Sequence, residues 1–172
     1  MKLVTTVYRA HHPRWSFAPL SGEGAARHGG RFNPPGVPAL YTARRMETAW
    51  LEAQQGLPFK AQPMTLVAHD VACDDVLDLT DAATPAAAGV DPADLSCSWE
   101  DLARRGVEPP SWRLARRLLG DGVAAVVVPS FAPGADADHV NVVFWRWGPE
   151  APHAVRVIDD HGRLPHDDAS WR

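Results

Sequence analysis

The chain contains short segments in which apolar residues alternate with polar ones or run without interruption. Alternation over Lys2 to Arg9 predicts a first strand, because successive side chains of a strand point to opposite faces. Val123 to Val128 is apolar at every position, which is typical of a strand buried on both faces. Further strands are predicted at 38–42, 64–71, 140–147 and 155–158. Alternation along 140–147 places four residues on one face: Asn141, Val143, Trp145 and Trp147.

The segment 46–55 changes to a helical period. Its apolar residues recur at the i, i+3, i+4 and i+7 spacing of an amphipathic helix: Met46, Ala49, Trp50 and Ala53. Glu52 lies roughly 110–130° from the centre of this stripe, so we do not expect the core to bury it. We expect Glu52 at the lip of a cleft or in solvent, and the helix to end at 56–58. Further helices are predicted at 95–106 and 112–119.

Strands and helices are interspersed without regular alternation, which favours an α+β fold over a doubly wound parallel sheet. The 172 residues fit one domain over 1–172. Hydrophobic residues make up 45% of the chain and charged residues 22%, which is typical of a globular protein with a sizeable core. Residues 73–93 are rich in Ala, Asp, Pro and Thr, so we predict an irregular excursion there with at most short helical turns and no catalytic role.

Charge and cysteine content narrow the classes of partner and compartment. The formal net charge of −4 gives no basic surface for a nucleic-acid backbone, so direct binding of nucleic acid is not expected. Two cysteines are too few for a disulfide framework and match no zinc spacing, which favours the cytoplasm. The N-terminus lacks the apolar core of a signal peptide, and no apolar run is long enough for a membrane span. The Asp and His residues of the tail form no ligand motif, so no metal site is predicted.

The residue types that suggest chemistry are concentrated between Gly29 and Glu52. Gly29 and Gly30 permit a sharp turn or a close approach of the backbone to a ligand. Arg31 follows them directly, and its planar guanidinium can bind phosphate or carboxylate with two parallel hydrogen bonds. Tyr41 ends a predicted strand, and Glu52 follows on the predicted helix. Together they form a candidate site for an anionic ligand.

Three residues outside this segment join the candidate set. Ser130 emerges where Pro129 ends the buried strand, and loop residues at the ends of strands commonly contact ligands. Asn141 lies near the start of the next strand. Arg9 ends the first strand, and it either lines a pocket or lies in solvent.

Several motifs, in order and spacing, resemble those of the RES-domain family. These are Gly-Glu-Gly-Ala at 22–25, Gly-Gly-Arg-Phe-Asn-Pro-Pro-Gly at 29–36, Tyr41, Leu51-Glu52, and Val-Pro-Ser at 128–130. Further matches are Tyr8-Arg9, Asn141 and the segment from Asp159 to Leu164. The resemblance covers nearly the whole chain, with departures at Phe32 and Trp145, where the family usually has Trp and Asn.

The resemblance implies a mixed fold similar to the ADP-ribosyltransferase toxins, with a cleft between two small sheets and surrounding helices. It also implies the toxin of a bacterial toxin–antitoxin pair that consumes NAD by cleaving its nicotinamide–ribose bond, with no metal. The implied catalytic residues are Arg31, Tyr41, Glu52 and Ser130, and the implied NAD-binding residues are Arg9, Arg31, Tyr41, Ser130 and Asn141. The implied partner is an Xre-like antitoxin that binds DNA itself and covers the cleft. The acceptor of ADP-ribose stays open between water, phosphate and a cellular protein.

Two other classes of function remain open at this stage. The chain is also compatible with a catalytically silent protein-binding module of the same fold, whose seven tryptophans form a partner surface. Arg113, Arg116 and Arg117 offer an acidic partner one docking surface. A hydrolase with Ser130 as nucleophile is disfavoured, because Ser130 lacks the Gly-x-Ser-x-Gly context. Convergence of Arg31, Tyr41 and Glu52 on one cleft would favour the enzyme, and scatter the binding module.

Overall fold

Strands from the whole length of the chain build one sheet. The computed structural model describes residues 1–55, 61–81 and 83–172. The strands are β1 (Leu3–His11), β2 (Leu40–Ala43), β3 (Thr65–Cys73), β4 (Val76–Asp78), β5 (Ala125–Pro129), β6 (Val140–Phe144) and β7 (His153–Val157). The helices are α1 (Glu23–His28), α2 (Met46–Ala53), α3 (Thr84–Ala87), α4 (Pro92–Leu95), α5 (Trp99–Arg104) and α6 (Pro110–Gly120). Two 3₁₀ turns lie at Pro13–Trp15 and Ala169–Trp171.

The sheet confirms the predicted α+β class and corrects the expected pair of small sheets. Its seven strands are ordered β4-β5-β6-β2-β1-β3-β7, and only β4 and β5 pair in parallel. β1 and β2 meet at a single register pair, Tyr8 with Ala43, whereas β1 pairs with β3 along its whole length. The sheet therefore has two halves, β4-β5-β6-β2 and β1-β3-β7, which this single pair joins. After Tyr8, β1 continues to His11 without pairing to β2.

Apolar side chains cover both faces of the half that contains β5. Val126 and Val128 belong to a core with the helix residues Leu114 and Leu118, and Val127 belongs to the core on the opposite face. The prediction of a strand buried on both faces is confirmed. β6 ends at Phe144, three residues before the predicted end, so Trp145 and Trp147 join opposite cores instead of one face.

The predicted buried stripe of α2 is confirmed at Ala49 and wrong at Met46 and Trp50. Met46 and Trp50 are 49% and 38% exposed, whereas the residues that α2 buries are Thr48 and Ala49. Glu52 lies one turn after Thr48, so the inward face of α2 carries a hydroxyl and a carboxylate. The predicted stop at 56–58 lies outside the described residues.

The segment 73–93 contains a strand that the sequence did not indicate. β4 is three residues long and pairs in parallel with β5 at the edge of the sheet. Three residues are too few to show a period, so the pattern predicted only the short helical turns that became α3 and part of α4. Helix α6 begins at Pro110, two residues earlier than expected.

A histidine is buried on β3, where that strand pairs with β1. His69 is fully buried opposite Val7. Burial lowers the pKa of His69 to about 4, with smaller contributions from Arg9 and His11. His69 is therefore neutral in the folded protein near neutral pH.

Because of His69, the protein should become less stable as the pH falls. Between its ordinary pKa of 6.5 and about 4, the unfolded chain binds a proton at His69 that the folded chain does not. The free energy of unfolding should therefore decrease as pH falls through that window. His69→Leu should reduce this slope in urea denaturation at a series of pH values, and His166→Leu in the exposed tail should not. An unchanged slope in His69→Leu would contradict the assignment.

Candidate functional site

A cavity of about 480 Å³ lies where the two halves of the sheet diverge. Its walls include strand residues near the Tyr8–Ala43 pair, the inner face of α2 and the loop that follows α1. Arg31, Tyr41 and Glu52 all line it. Residues from the loop after α1, from β2 and from α2 therefore converge on one site.

Glu52 is the centre of a hydrogen-bonded cluster in this cavity. Its Oε1 accepts a hydrogen bond from Ser130 Oγ at 2.6 Å and another from Asn141 Nδ2. Its Oε2 accepts one from Gln55 Nε2. Ser130 and Asn141 are brought together because β5 and β6 are neighbours and the Ser130 backbone N–H donates to His139 O. Donors on both oxygens hold the carboxylate in one orientation.

The loop after α1 is held from within by the Tyr41 hydroxyl. That hydroxyl accepts from the backbone N–H of Phe32 at 2.9 Å and donates to Asn33 Oδ1 at 2.7 Å. Gly29 adopts a positive φ of 73°, which side chains disfavour, and Gly30 lies directly against Tyr41. Burial raises the pKa of Tyr41 well above its ordinary value, so the hydroxyl remains protonated and able to donate. The position of Arg31 thus depends on Tyr41.

Arg31 is anchored by one nitrogen of its guanidinium. Nη1 donates to the carbonyl oxygens of Leu95 at 3.2 Å and Cys97 at 2.7 Å, and the guanidinium carbon lies 4.7 Å from the centre of the Phe131 ring. Both hydrogen bonds that Arg31 makes within the described residues use Nη1, which leaves Nη2 and Nε for a ligand. Desolvation lowers the pKa of Arg31, although an arginine remains charged at neutral pH.

A second arginine, Arg9, also lines the cavity. Its Nη1 donates to the carbonyl oxygens of Pro19 and Ser21, both at 2.9 Å. Burial lowers the pKa of Arg9 to about 10, which still leaves it a cation at neutral pH. Of the two positions expected for Arg9, the structure shows the pocket.

The structure brings the predicted site residues together, while their roles stay predictions. Of the predicted site residues, five line the cavity: Arg9, Arg31, Tyr41, Glu52 and Asn141. Ser130 joins them through its hydrogen bond to Glu52. Sequence reasoning missed three neighbours that the structure adds: Gln55, Trp99 and Phe131. Position was the signal for two of them, since Gln55 is one turn beyond Glu52 and Phe131 follows Ser130, whereas Trp99 had none.

The described residues contain no group of three or more His, Cys, Asp or Glu side chains arranged to hold a metal ion. Within 1–55, 61–81 and 83–172, no helix has the length and apolar character to cross a membrane. Both cysteines, Cys73 and Cys97, are free thiols.

The comparisons with known proteins identify the family. The RES domain model matches residues 6–167. The chain belongs to the RES domain family. Its fold is similar to that of a chain in the crystal structure of the M. tuberculosis MbcT–MbcA toxin–antitoxin complex, with a TM-score of 0.62 and 23% identity. The match covers 92% of this chain and 84% of that one, and no curated protein sequence matches significantly.

The close contact of Gly30 with Tyr41 in this RES domain predicts a size limit. A Cβ added at Gly30 would lie 2.5 Å from the Tyr41 hydroxyl oxygen and 2.8 Å from Asn33 Oδ1. Gly30→Ala should therefore destabilise the protein by about 1–3 kcal/mol in urea denaturation, as overpacking does.

Gly24→Ala is the matched control, because a Cβ there meets no atom within 4 Å and Gly24 lies in α1. It should be as stable as the unmodified protein or slightly more so. If Gly30→Ala unfolded at the same urea concentration as Gly24→Ala, the proposed contact would be refuted.

Proposed function

We propose that this RES domain is the toxin of a toxin–antitoxin pair and that it cleaves NAD at the nicotinamide–ribose bond. The observation that carries the proposal is the convergence of Arg31, Tyr41 and Glu52 on one cavity. This was the arrangement expected of an enzyme and not of a silent binding module. The sequence resemblance to NAD-consuming RES toxins supplies the reaction class.

The chemistry of the bond explains why a carboxylate is needed. As nicotinamide departs, positive charge develops on the ribose, in the same way as in glycoside hydrolysis. Glu52 would stabilise that charge or orient the attacking nucleophile. Because Ser130, Asn141 and Gln55 already hold the carboxylate, little reorganisation would be needed during the reaction.

The other predicted residues fit the remaining parts of NAD. The free donors of Arg31 would bind the pyrophosphate, and Arg9 would add a second positive charge to the cavity. Asn141 Oδ1 has no hydrogen-bond partner among the described residues, so it offers an acceptor beside Glu52 for a ribose hydroxyl. The ring of Tyr41 would contact nicotinamide, since its hydroxyl is already engaged with the 29–33 loop.

The competing functions have less support. A Ser130 nucleophile would need a base that removes its proton, and Ser130 Oγ donates to the Glu52 carboxylate, a weaker type of base than the imidazole of a serine–histidine pair. In the described part of the chain, no histidine side chain hydrogen-bonds to Ser130 Oγ. A silent binding module would not require an arginine, a tyrosine and a hydrogen-bonded carboxylate to share one cavity.

Substitutions at Glu52 and at Arg31 should affect different measurements, the first turnover and the second binding. Glu52→Gln keeps the shape of the side chain but removes its charge, so kcat for NAD should fall by about 10²-fold or more. Arg31→Lys keeps the charge but cannot bind phosphate as a fork while holding Leu95 and Cys97, so it should weaken binding of ADP-ribose in calorimetry. Glu52→Gln should bind ADP-ribose nearly as well as the unmodified protein.

Glu47→Gln is the control on the same helix, because Glu47 is exposed and pairs only loosely with Arg45. It should leave both measurements unchanged. Full turnover in a folded Glu52→Gln protein would remove Glu52 from the mechanism. The products, separated by mass spectrometry with and without phosphate and cell lysate, would identify water, phosphate or a protein as the acceptor.

The proposed partner is an Xre-like antitoxin acting in the cytoplasm and covering the cavity. The chain of similar fold was crystallised in the MbcT–MbcA complex, which is a toxin–antitoxin complex. The candidate docking arginines have partners within the chain: Arg113 and Arg116 contact Glu108, and Arg117 contacts the 88–89 carbonyls. We therefore place the partner at the cavity mouth and not at α6.

Partner and substrate should then compete. Purified antitoxin, titrated into an NAD-consumption assay, should raise the apparent KM or abolish turnover. An Arg116→Ala variant of the toxin should be inhibited equally well, because its side chain lies on α6 outside the cavity lining. Undiminished turnover at saturating antitoxin would refute occlusion of the cavity.

A further inference from the structure

One wall of the cavity is formed by the segment that anchors Arg31. The carbonyl oxygens of Leu95 and Cys97 accept hydrogen bonds from Arg31, and Trp99 follows two residues later as the first residue of α5. Trp99 is partly exposed and lines the cavity. The ring is therefore placed beside the arginine by the same short stretch of backbone.

A chain of contacts connects the carboxylate of Glu52 to the segment that carries Trp99. Glu52 is hydrogen-bonded to Ser130, and the next residue, Phe131, packs against the Arg31 guanidinium. Arg31 then binds the backbone that leads to Trp99. The order is carboxylate, guanidinium, indole. NAD has a matching order of parts: nicotinamide riboside, pyrophosphate, and then adenosine.

Of the other aromatic rings that line the cavity, one is buried, two are held by contacts of their own and one lies at the seam of the sheet. Phe32 is buried in the core, the Phe131 ring is packed against Arg31, and the Tyr41 hydroxyl is bound within the 29–33 loop. Tyr8 lies on β1, at the seam between the two halves of the sheet. Trp99 is the ring that combines partial exposure with a position next to the anchor of Arg31.

Trp99 is also supported from behind. Its ring centre lies 6.4 Å from that of Trp112, with the planes inclined at 42°. Trp112 Nε1 in turn donates to Gly30 O at 2.7 Å, which connects α6 to the loop that carries Arg31. Trp112 is not among the residues that line the cavity, so the indole next to Trp99 lies outside the cavity lining.

We infer that Trp99 is a specificity residue that stacks against the adenine of NAD, on the far side of Arg31 from Glu52. The inference rests on the proposed function for the identity of the ligand. A stacked base gains from the large polarisable indole surface, and it is separated from the reacting bond by the pyrophosphate. Trp99 would therefore govern substrate binding and not the chemical step.

The experiment compares two substrates that differ in the adenosine half. Trp99→Ala should raise KM for NAD by about 5-fold to 100-fold, the usual effect of removing one stacked base, while kcat changes little. The KM of nicotinamide mononucleotide, which has no adenine, should not change. If the mononucleotide is not turned over, its inhibition constant against NAD cleavage serves instead.

Further variants control for a structural effect. Trp99→Phe keeps an aromatic ring and should recover most of the affinity for NAD. Trp99→Leu, which keeps apolar volume but has no aromatic face, replaces Trp99→Ala if that variant does not fold, with the same rise in KM expected. Trp171→Ala removes an exposed indole outside the cavity lining and should leave both constants unchanged.

Each outcome decides the inference separately from the proposed function. An equal rise for NAD and the mononucleotide, or no rise for either, would overturn the role of Trp99 while leaving NAD cleavage intact. If the unmodified protein cleaves neither compound, the proposed function fails and ADP-ribose calorimetry decides. Weaker binding in Trp99→Ala than in Trp171→Ala would then support the inference, and equal or absent binding would overturn it.

Discussion

The carboxylate of Glu52 is the contact that ties α2 to the sheet. A charge removed from water must be compensated by hydrogen bonds, and here the donors come from the end of β5 and the start of β6. Thr48, one turn earlier, is fully buried on the same face, 3.5 Å from His139 Nδ1. The helix is therefore held by polar contacts, which explains how Met46 and Trp50 can remain outside the core.

The opposite wall depends on the chain approaching itself closely. Gly30 leaves room for the Tyr41 hydroxyl. That hydroxyl accepts a hydrogen bond from Phe32 N–H and donates one to Asn33, the next residue of the loop. Trp112 closes the arrangement from α6. Contacts from β2, α6 and the 95–97 carbonyls thus converge on a five-residue loop, and the same loop carries Arg31. Its rigidity follows from these partners together with the antiparallel bridge that Gly30 and Asn33 form within the loop.

The sequence indicated the α+β class, the doubly buried strand at β5 and the residues that come together at the cavity, because those depend on local composition or on motifs. It misplaced the face of α2, since an apolar period identifies a buried stripe only where apolar contacts hold the helix. It missed β4, which exists only through its pairing with β5. Trp99 gave no signal, because its importance comes from Arg31 binding carbonyls more than sixty residues away along the chain.

The charges of the cavity match the uneven charge of the proposed substrate. NAD is cationic at nicotinamide and anionic at the pyrophosphate, so an anion at one end of the site and a cation at the other favour one binding direction. Glu52 and Arg31 provide that pair, and Arg9 adds positive charge inside a chain whose formal net charge is −4. On the proposed function, the same carboxylate that orients the cationic ring would stabilise the ribose as the ring leaves. The reduced dinucleotide has a neutral ring, and so it lacks both the attraction and the leaving group that this arrangement uses.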